Sequence, residues 1–317
     1  MTAHPIVERV SATVVGRRRE AEVLVAALDA GRHVLIEGPP GTGKSTLLRA
    51  IAAETGLGFQ FVEGNAELTP ARLIGHFDPA RVLADGYDPA VFVDGPLVVA
   101  LRDGALLYVE ELNRVPEETL NVLVTVMSER ELTVPRLGRV AAAPGFRLVA
   151  AMNPFDAVGT ARISSTIYDR LCRLSVGYQT ADDERTIVRQ ALAAVTVEGR
   201  SGAARVAPPD AWLTRAVEIV RRTRTHPDVR SGASVRGAID MAAVARSLVV
   251  VRSTSLDAVA LDAALAALSA RIRLRDGCGR TPEEIVTEIW QEVFGRDDGP
   301  DGGAGKAGAP TGATTPD

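Results

Sequence analysis

The sequence predicts an α/β fold, a five-stranded parallel sheet between helices, followed by an all-α C-terminal region. Three observations carry that reading. A buried strand, His33-Val34-Leu35-Ile36-Glu37, enters a glycine-rich turn from which a helix leaves at Thr46 and is closed by Gly56. A second apolar run, Ala105 to Val109, ends in two carboxylates, Glu110 and Glu111, as a buried strand does where its C-terminal edge emerges. Beyond Gly177 strand-and-helix alternation gives way to helical periodicity alone.

Taken in order, residues 1 to about 12 read as a loose lead-in, without the apolar run of a signal peptide. Val14 to Arg17 reads as a turn and Glu20 to Ala30 as a helix near the glycine-rich loop. That loop, Gly38-Pro39-Pro40-Gly41-Thr42-Gly43-Lys44-Ser45, fits G-x-x-x-x-G-K-[ST]. Its glycines let backbone N–H groups face a polyphosphate, and the following helix start, with Thr46, adds a partial positive charge. Lys44 can neutralise β- and γ-phosphate oxygens, and the Ser45 hydroxyl can ligate Mg²⁺.

Gly58 to Glu63 is the second strand, and Asn65 after it serves either to restrain Glu111 or to make a turn. From Leu68 to Pro96 glycine and proline recur too often for one helix, which points to an inserted hairpin or loop around Tyr87 to Asp94. Pro96 to Asp103 returns to a helical pattern. In phosphate-loop ATPases the first acid of a pair such as Glu110-Glu111 holds Mg²⁺ and the second polarises the attacking water. Glutamate at the first place carries one more methylene than the commoner aspartate.

Leu120, Leu123, Val124 and Met127 form the core stripe of a helix begun at Pro116, and 131–142 reads as a projecting hairpin. Phe146 to Asn153 is the fourth strand; Asn153 at its edge either orients the hydrolytic water or caps the turn with Pro154. Leu171 to Val176 is the fifth. Thr180–Ala194, Pro209–Thr223, Ser234–Val250 and Ser255–Arg273 carry helical stripes, and Thr281 to Glu284 is a capping box opening a last helix to Phe294. The division expected is a core over 1–176, a helical region over 177–295 and a Gly/Ala/Pro-rich disordered tail over 296–317.

The net charge of −4 argues against a dedicated nucleic-acid binder. Cys172 and Cys278 make no disulfide framework, which suits a reducing cytoplasm, and the four histidines form no ligand motif. No stretch approaches the roughly 20 apolar residues of a membrane span.

This constellation resembles an AAA+ ATPase of the MoxR-like group from about Val14 to Phe294. Gly38 to Ser45 is similar to Walker A, Leu106 to Glu111 to Walker B, and Asn153 to sensor 1. Gly159-Thr160 and Tyr168 to Leu171 resemble the segment that carries the arginine finger, which makes Arg170 the finger, with Arg162 and Arg173 close enough to compete. Ser231 to Arg236 resembles the lid motif whose arginine, Arg236, is sensor 2. The region near 75–95 is similar in position to the helix-2 insert, and the 131–142 hairpin to the pre-sensor-1 hairpin.

The phrasing of Glu110 to Arg114, Met152 to Asp156 and Tyr168 to Leu174 resembles CoxD-like members. That resemblance implies ATP and Mg²⁺, a hexameric ring with Arg170 reaching a neighbour's γ-phosphate, and remodelling of a client enzyme beside a von Willebrand factor A protein. A gas-vesicle-type assembly ATPase, a nucleic-acid motor or loader and a scaffold that hydrolyses little are the alternatives.

Overall fold

The computed structural model describes residues 4–154, 163–194 and 206–295. The expected tail, 296–317, and Gly159, Thr160 and Arg162 lie outside the described residues. The chain opens with α1 (Pro5–Thr13), packed on α2 (Arg18–Asp29). α1 corrects the loose lead-in: Val7, Val10 and Val14 lie at i, i+3 and i+7, all are buried, and Pro5 starts the helix. Three apolar residues in so short a segment are a weak periodic signal, and it takes α2 and α3 to give them a core.

β1 (His33–Glu37) leads through the glycine-rich loop into α3 (Lys44–Thr55), then β2 (Phe59–Glu63). The punctuated stretch resolves into α4 (Pro70–Ile74), β3 (Gly75–Phe77), α5 (Pro79–Asp85) and β4 (Phe92–Asp94), with β3 and β4 antiparallel. Its prolines open the helices, and Thr69 and Asp78 cap them. α6 (Pro96–Asp103), β5 (Leu106–Glu110) and α7 (Glu117–Glu129) follow. Next come the hairpin of β6 (Glu131–Val134) and β7 (Gly138–Ala141), then β8 (Arg147–Met152), α8 (Ser165–Tyr168) and β9 (Leu171–Ser175).

The main sheet runs in the order β2-β5-β8-β1-β9, every neighbouring pair parallel. Strand alternation divides its side chains between two cores. Val34, Ile36, Leu106, Tyr108, Val149 and Ala151 pack with α1–α3, whereas Leu35, Leu107, Val109, Leu148 and Ala150 pack with α6 and α7.

The remaining elements are α9 (Ala181–Ala194), α10 (Asp210–Thr225), β10 (Val229–Ser231), α11 (Val235–Arg252), α12 (Leu256–Leu268), β11 (Arg273–Leu274) and α13 (Pro282–Phe294). They bury a third cluster built on Trp212, Met241, Leu268 and Ile289. α12 stops short of the expected Arg273: a tight turn over Ser269–Arg271 intervenes, and β11 pairs antiparallel with β10. A two-residue strand has no period to read. The capping box at Thr281 and Glu284 is formed in both directions.

Candidate active site at the carboxyl edge of the sheet

The loop leaves the C-terminal end of β1 and wraps the first turn of α3. Lys44 is buried and its Nζ donates to the carbonyls of Gly38 and Pro39, each at 2.9 Å. Burial pushes its ammonium below the usual lysine range; Glu110 opposes this, and Arg236 and Arg17 add to it. Thr42 is fully buried and donates to Pro39 O (3.0 Å), whereas Pro40 and Thr46 face solvent. Gly41 has φ +72°, and a Cβ there would lie 2.2 Å from Ser234 Oγ.

Across the loop the Ser45 hydroxyl donates to Glu110 at 3.0 and 3.2 Å from its two oxygens, with the Tyr108 hydroxyl 3.3 Å away. Burial holds the Tyr108 phenol above its ordinary range, so it stays protonated beside Glu110. Ser45 and Glu110 fit Mg²⁺ as oxygen donors. Among the described residues no cluster of three His, Cys, Asp or Glu could hold a metal by itself, whereas Mg²⁺ takes one or two protein oxygens and completes its shell from phosphate and water.

Glu111 sits in the left-handed region at φ +53°, an uncommon place for a non-glycine residue and one found at strained functional turns. Its carboxylate pairs with Arg114 at 3.2 Å. The turn is pressed against the end of β2, where a Cβ on Gly64 would come within 2.5 Å of Glu111 O. Asn65 makes a local turn instead: its Oδ1 accepts from Glu67 N (2.9 Å) and its Nδ2 donates to Glu63 O (3.3 Å). Asn153 follows Met152, whose carbonyl accepts from Gly38 N at 3.1 Å, so its backbone stands level with the start of the loop.

The helical region closes on the loop from the other side. Ser234 packs on Gly41, and the Arg236 Cδ lies 3.7 Å from the Cβ position of the same glycine. Arg17, which the sequence reading passed over as part of a turn, is only 3% exposed. It donates to Thr42 O (2.8 and 3.2 Å) and to Gly177 O (2.6 Å), joining the loop to the start of the helical region. Gln179, also unforeseen, is buried beside Gly43. Only the tertiary fold brings these groups together; the one local hint was an arginine directly after Gly16.

Arg170 is not part of this cluster. It precedes β9, whose Leu171 is in register with His33, and so lies at the opposite edge of the sheet from the loop. Its guanidinium donates to Ser128 Oγ (2.6 Å) and Thr166 O (2.7 Å). Arg173, the competitor, is bound to Glu37 within its own chain.

Residues 33–171 match the AAA domain family, dynein-related subfamily. The chain has an AAA+ P-loop core. Uncharacterized proteins of Staphylococcus epidermidis and Staphylococcus haemolyticus are each 32% identical to it over 167 residues, 52% of this chain and 63% of theirs. The match thus spans a little less than two thirds of those relatives. A Cytophaga hutchinsonii protein described as an ATPase has the same fold (TM-score 0.50, 21% identity), over 91% of this chain and 93% of that one. So does Thermotoga maritima RuvB, a Holliday junction branch migration motor (TM-score 0.51, 18% identity), over 88% and 70%. At such identities the likeness is of the AAA+ fold alone. No described helix is long and apolar enough to cross a membrane.

Proposed function

We propose that this chain is a Mg²⁺-dependent ATPase of the MoxR-like, CoxD-like branch, with residues 1–176 as its ATPase core and 177–295 as its lid. What supports the reading is the convergence at one sheet edge of Lys44, the Ser45–Glu110 pair and Glu111, with Arg236 from the lid against Gly41. Lys44 and the loop amides hold the phosphates, Asn153 orients the water, and Glu111 accepts its proton for in-line attack. Mg²⁺ held by Ser45 and Glu110 would neutralise charge developing on the phosphates. Arg236 senses the nucleotide in its own subunit. Arg170, turned away from its own loop, serves the next subunit, which requires a ring, a hexamer in this reading.

Hydrolysis then drives assembly of a client metalloenzyme together with a von Willebrand factor A protein in the cytoplasm, a setting that suits the free thiols of Cys172 and Cys278. The test is Glu111→Gln. Its affinity for ATP should match the parent chain, while phosphate release with Mg²⁺ drops on the order of 100-fold, because an amide cannot take the water's proton. Turnover near the parent rate would remove Glu111 from this role. The same variant, loaded with ATP and used as bait, should retain the client and its partner.

A further inference from the structure

Glu37 is a carboxylate buried to 3% exposure at the end of β1, directly before Gly38. A charge so placed is tolerated only when paired and hydrogen-bonded. Both of its oxygens are engaged by one short segment. Arg173 donates through Nε and Nη2 to Oε2, and the Tyr168 hydroxyl donates to Oε1 at 3.4 Å. In register Glu37 faces Ser175, so Arg173, two residues back on the same face of β9, meets it diagonally across the strands. Tyr168 and Arg173 bracket Arg170, which Ser128 at the last turn of α7 and the Thr166 carbonyl hold from behind.

We propose that Glu37 is a positioning residue that ties the origin of the phosphate loop to the segment carrying Arg170, so that one subunit's loop sets how its cation is offered to the next subunit's nucleotide. The inference rests on the proposal that Arg170 acts across a subunit interface. A shift of Gly38 on phosphate binding is passed to Glu37 through a single peptide bond. From there it reaches Tyr168 and Arg173 through two side-chain contacts, with no step through solvent.

Subunit mixing tests it. Glu37→Gln keeps the shape and removes the charge; its turnover should fall about tenfold, the order that positioning changes give, with ATP affinity close to the parent's. Added Glu111→Gln subunits hydrolyse on the order of 100-fold less yet keep ATP bound and carry an intact Arg170 segment, and an excess of them should restore most of the turnover per Glu37→Gln site. Arg170→Ala mixed with Glu111→Gln is the control. If Arg170→Ala is rescued and Glu37→Gln is not, Glu37 acts only within its own subunit and the inference falls. Parent-like turnover of Glu37→Gln alone overturns it as well. If neither variant is rescued, the assignment of Arg170 has failed, and the inference with it. Should Glu37→Gln not fold, Arg173→Gln, at a side chain 64% exposed, removes the same contact and must be rescued in the same way.

Discussion

The two edges of the parallel sheet are built from the same five strands and differ in kind. At the carboxyl edge the strands end in Glu37, Glu63, Glu110 and Met152, and the turns beyond them carry Gly38–Ser45, Gly64, Glu111 and Asn153. At the amino edge they begin with His33 and Arg147, groups that hold neighbouring backbone. His33 Nδ1 accepts from Leu148 N at 2.8 Å, and Arg147 donates to the carbonyls of Leu28 (3.3 Å) and Pro144 (3.0 Å). Parallel strands all point one way, so everything emerging from their C-termini meets in one crevice, and what precedes their N-termini is left to packing. Arg170 is the exception at the amino edge. Exposed and held by Ser128 and Thr166, it is the cation that the proposed function assigns to another subunit. The division predicts that substitutions at one edge alter turnover and at the other alter stability.

The largest effect belongs to Lys44→Ala. Removing the buried ammonium of the glycine-rich loop should lower turnover on the order of 100-fold or more, with ATP affinity falling alongside. Its thermal midpoint should stay within a few degrees of the parent's, because a buried charge that its surroundings disfavour is being deleted. A large loss of stability without loss of nucleotide binding would blur the distinction between the edges.

His33 tests the amino edge by pH. Burial, with Arg147 and Arg130 nearby, lowers its imidazole from 6.5 to about 4. Between those values the unfolded chain binds a proton that the folded chain does not, so stability falls as pH drops from about 6.5 to about 4. The loss should be roughly 2 kcal/mol, a figure reduced for partial solvent access. His33→Asn, whose carbonyl can still accept from Leu148 N, should flatten that slope in denaturant titrations at pH 4.5 and 7 while leaving turnover at pH 7 within about twofold. A slope that persists in the variant would locate the pH dependence elsewhere.

The carboxyl edge was largely legible in the chain because its chemistry is local. Lys44 and Ser45 belong to one loop, and Glu110 and Glu111 end one apolar run. The breaks between Leu68 and Pro96 were legible from their punctuation, since Pro70, Pro79 and Pro96 each open a helix. The hairpin itself reaches back to Gly75–Phe77, outside the 87–94 expected, because its two short arms are joined through α5. What escaped reading depends on partners far along the sequence. α1 is a helix because α2 and α3 bury its valines. Arg17 looks like any turn cation until Thr42 and Gly177 are folded onto it. Glu37 looked like a strand end, and Arg173 like a competitor for a neighbour's phosphate. Their contact becomes visible only when β9 is laid beside β1. Asn65 could have gone either way, and its turn hydrogen bonds decide what it does in this conformation.

Glu110→Asp produces the smallest effect, and it sharpens the account of the carboxyl edge. The longer side chain is what lets the Glu110 carboxylate reach Ser45 Oγ at 3.0 and 3.2 Å, so both oxygen donors converge on one point. Aspartate ends one methylene sooner, which withdraws the carboxylate by about 1.5 Å, beyond direct contact with Ser45 and into range for a bridging water. Mg²⁺ keeps several waters readily, so the site should still form, with the carboxylate acting through water. The Mg²⁺ concentration for half-maximal turnover should therefore rise several-fold, with less than about a tenfold change in the rate at saturating Mg²⁺. Tyr108 supplies the internal comparison. Its hydroxyl, 3.3 Å from Ser45, touches the same serine without being a candidate ligand. Tyr108→Phe should leave the Mg²⁺ titration where it is. If both substitutions moved the titration equally, Glu110 would be supporting Ser45 rather than ligating the ion, and Ser45 would be left as the chain's one ligand at that edge.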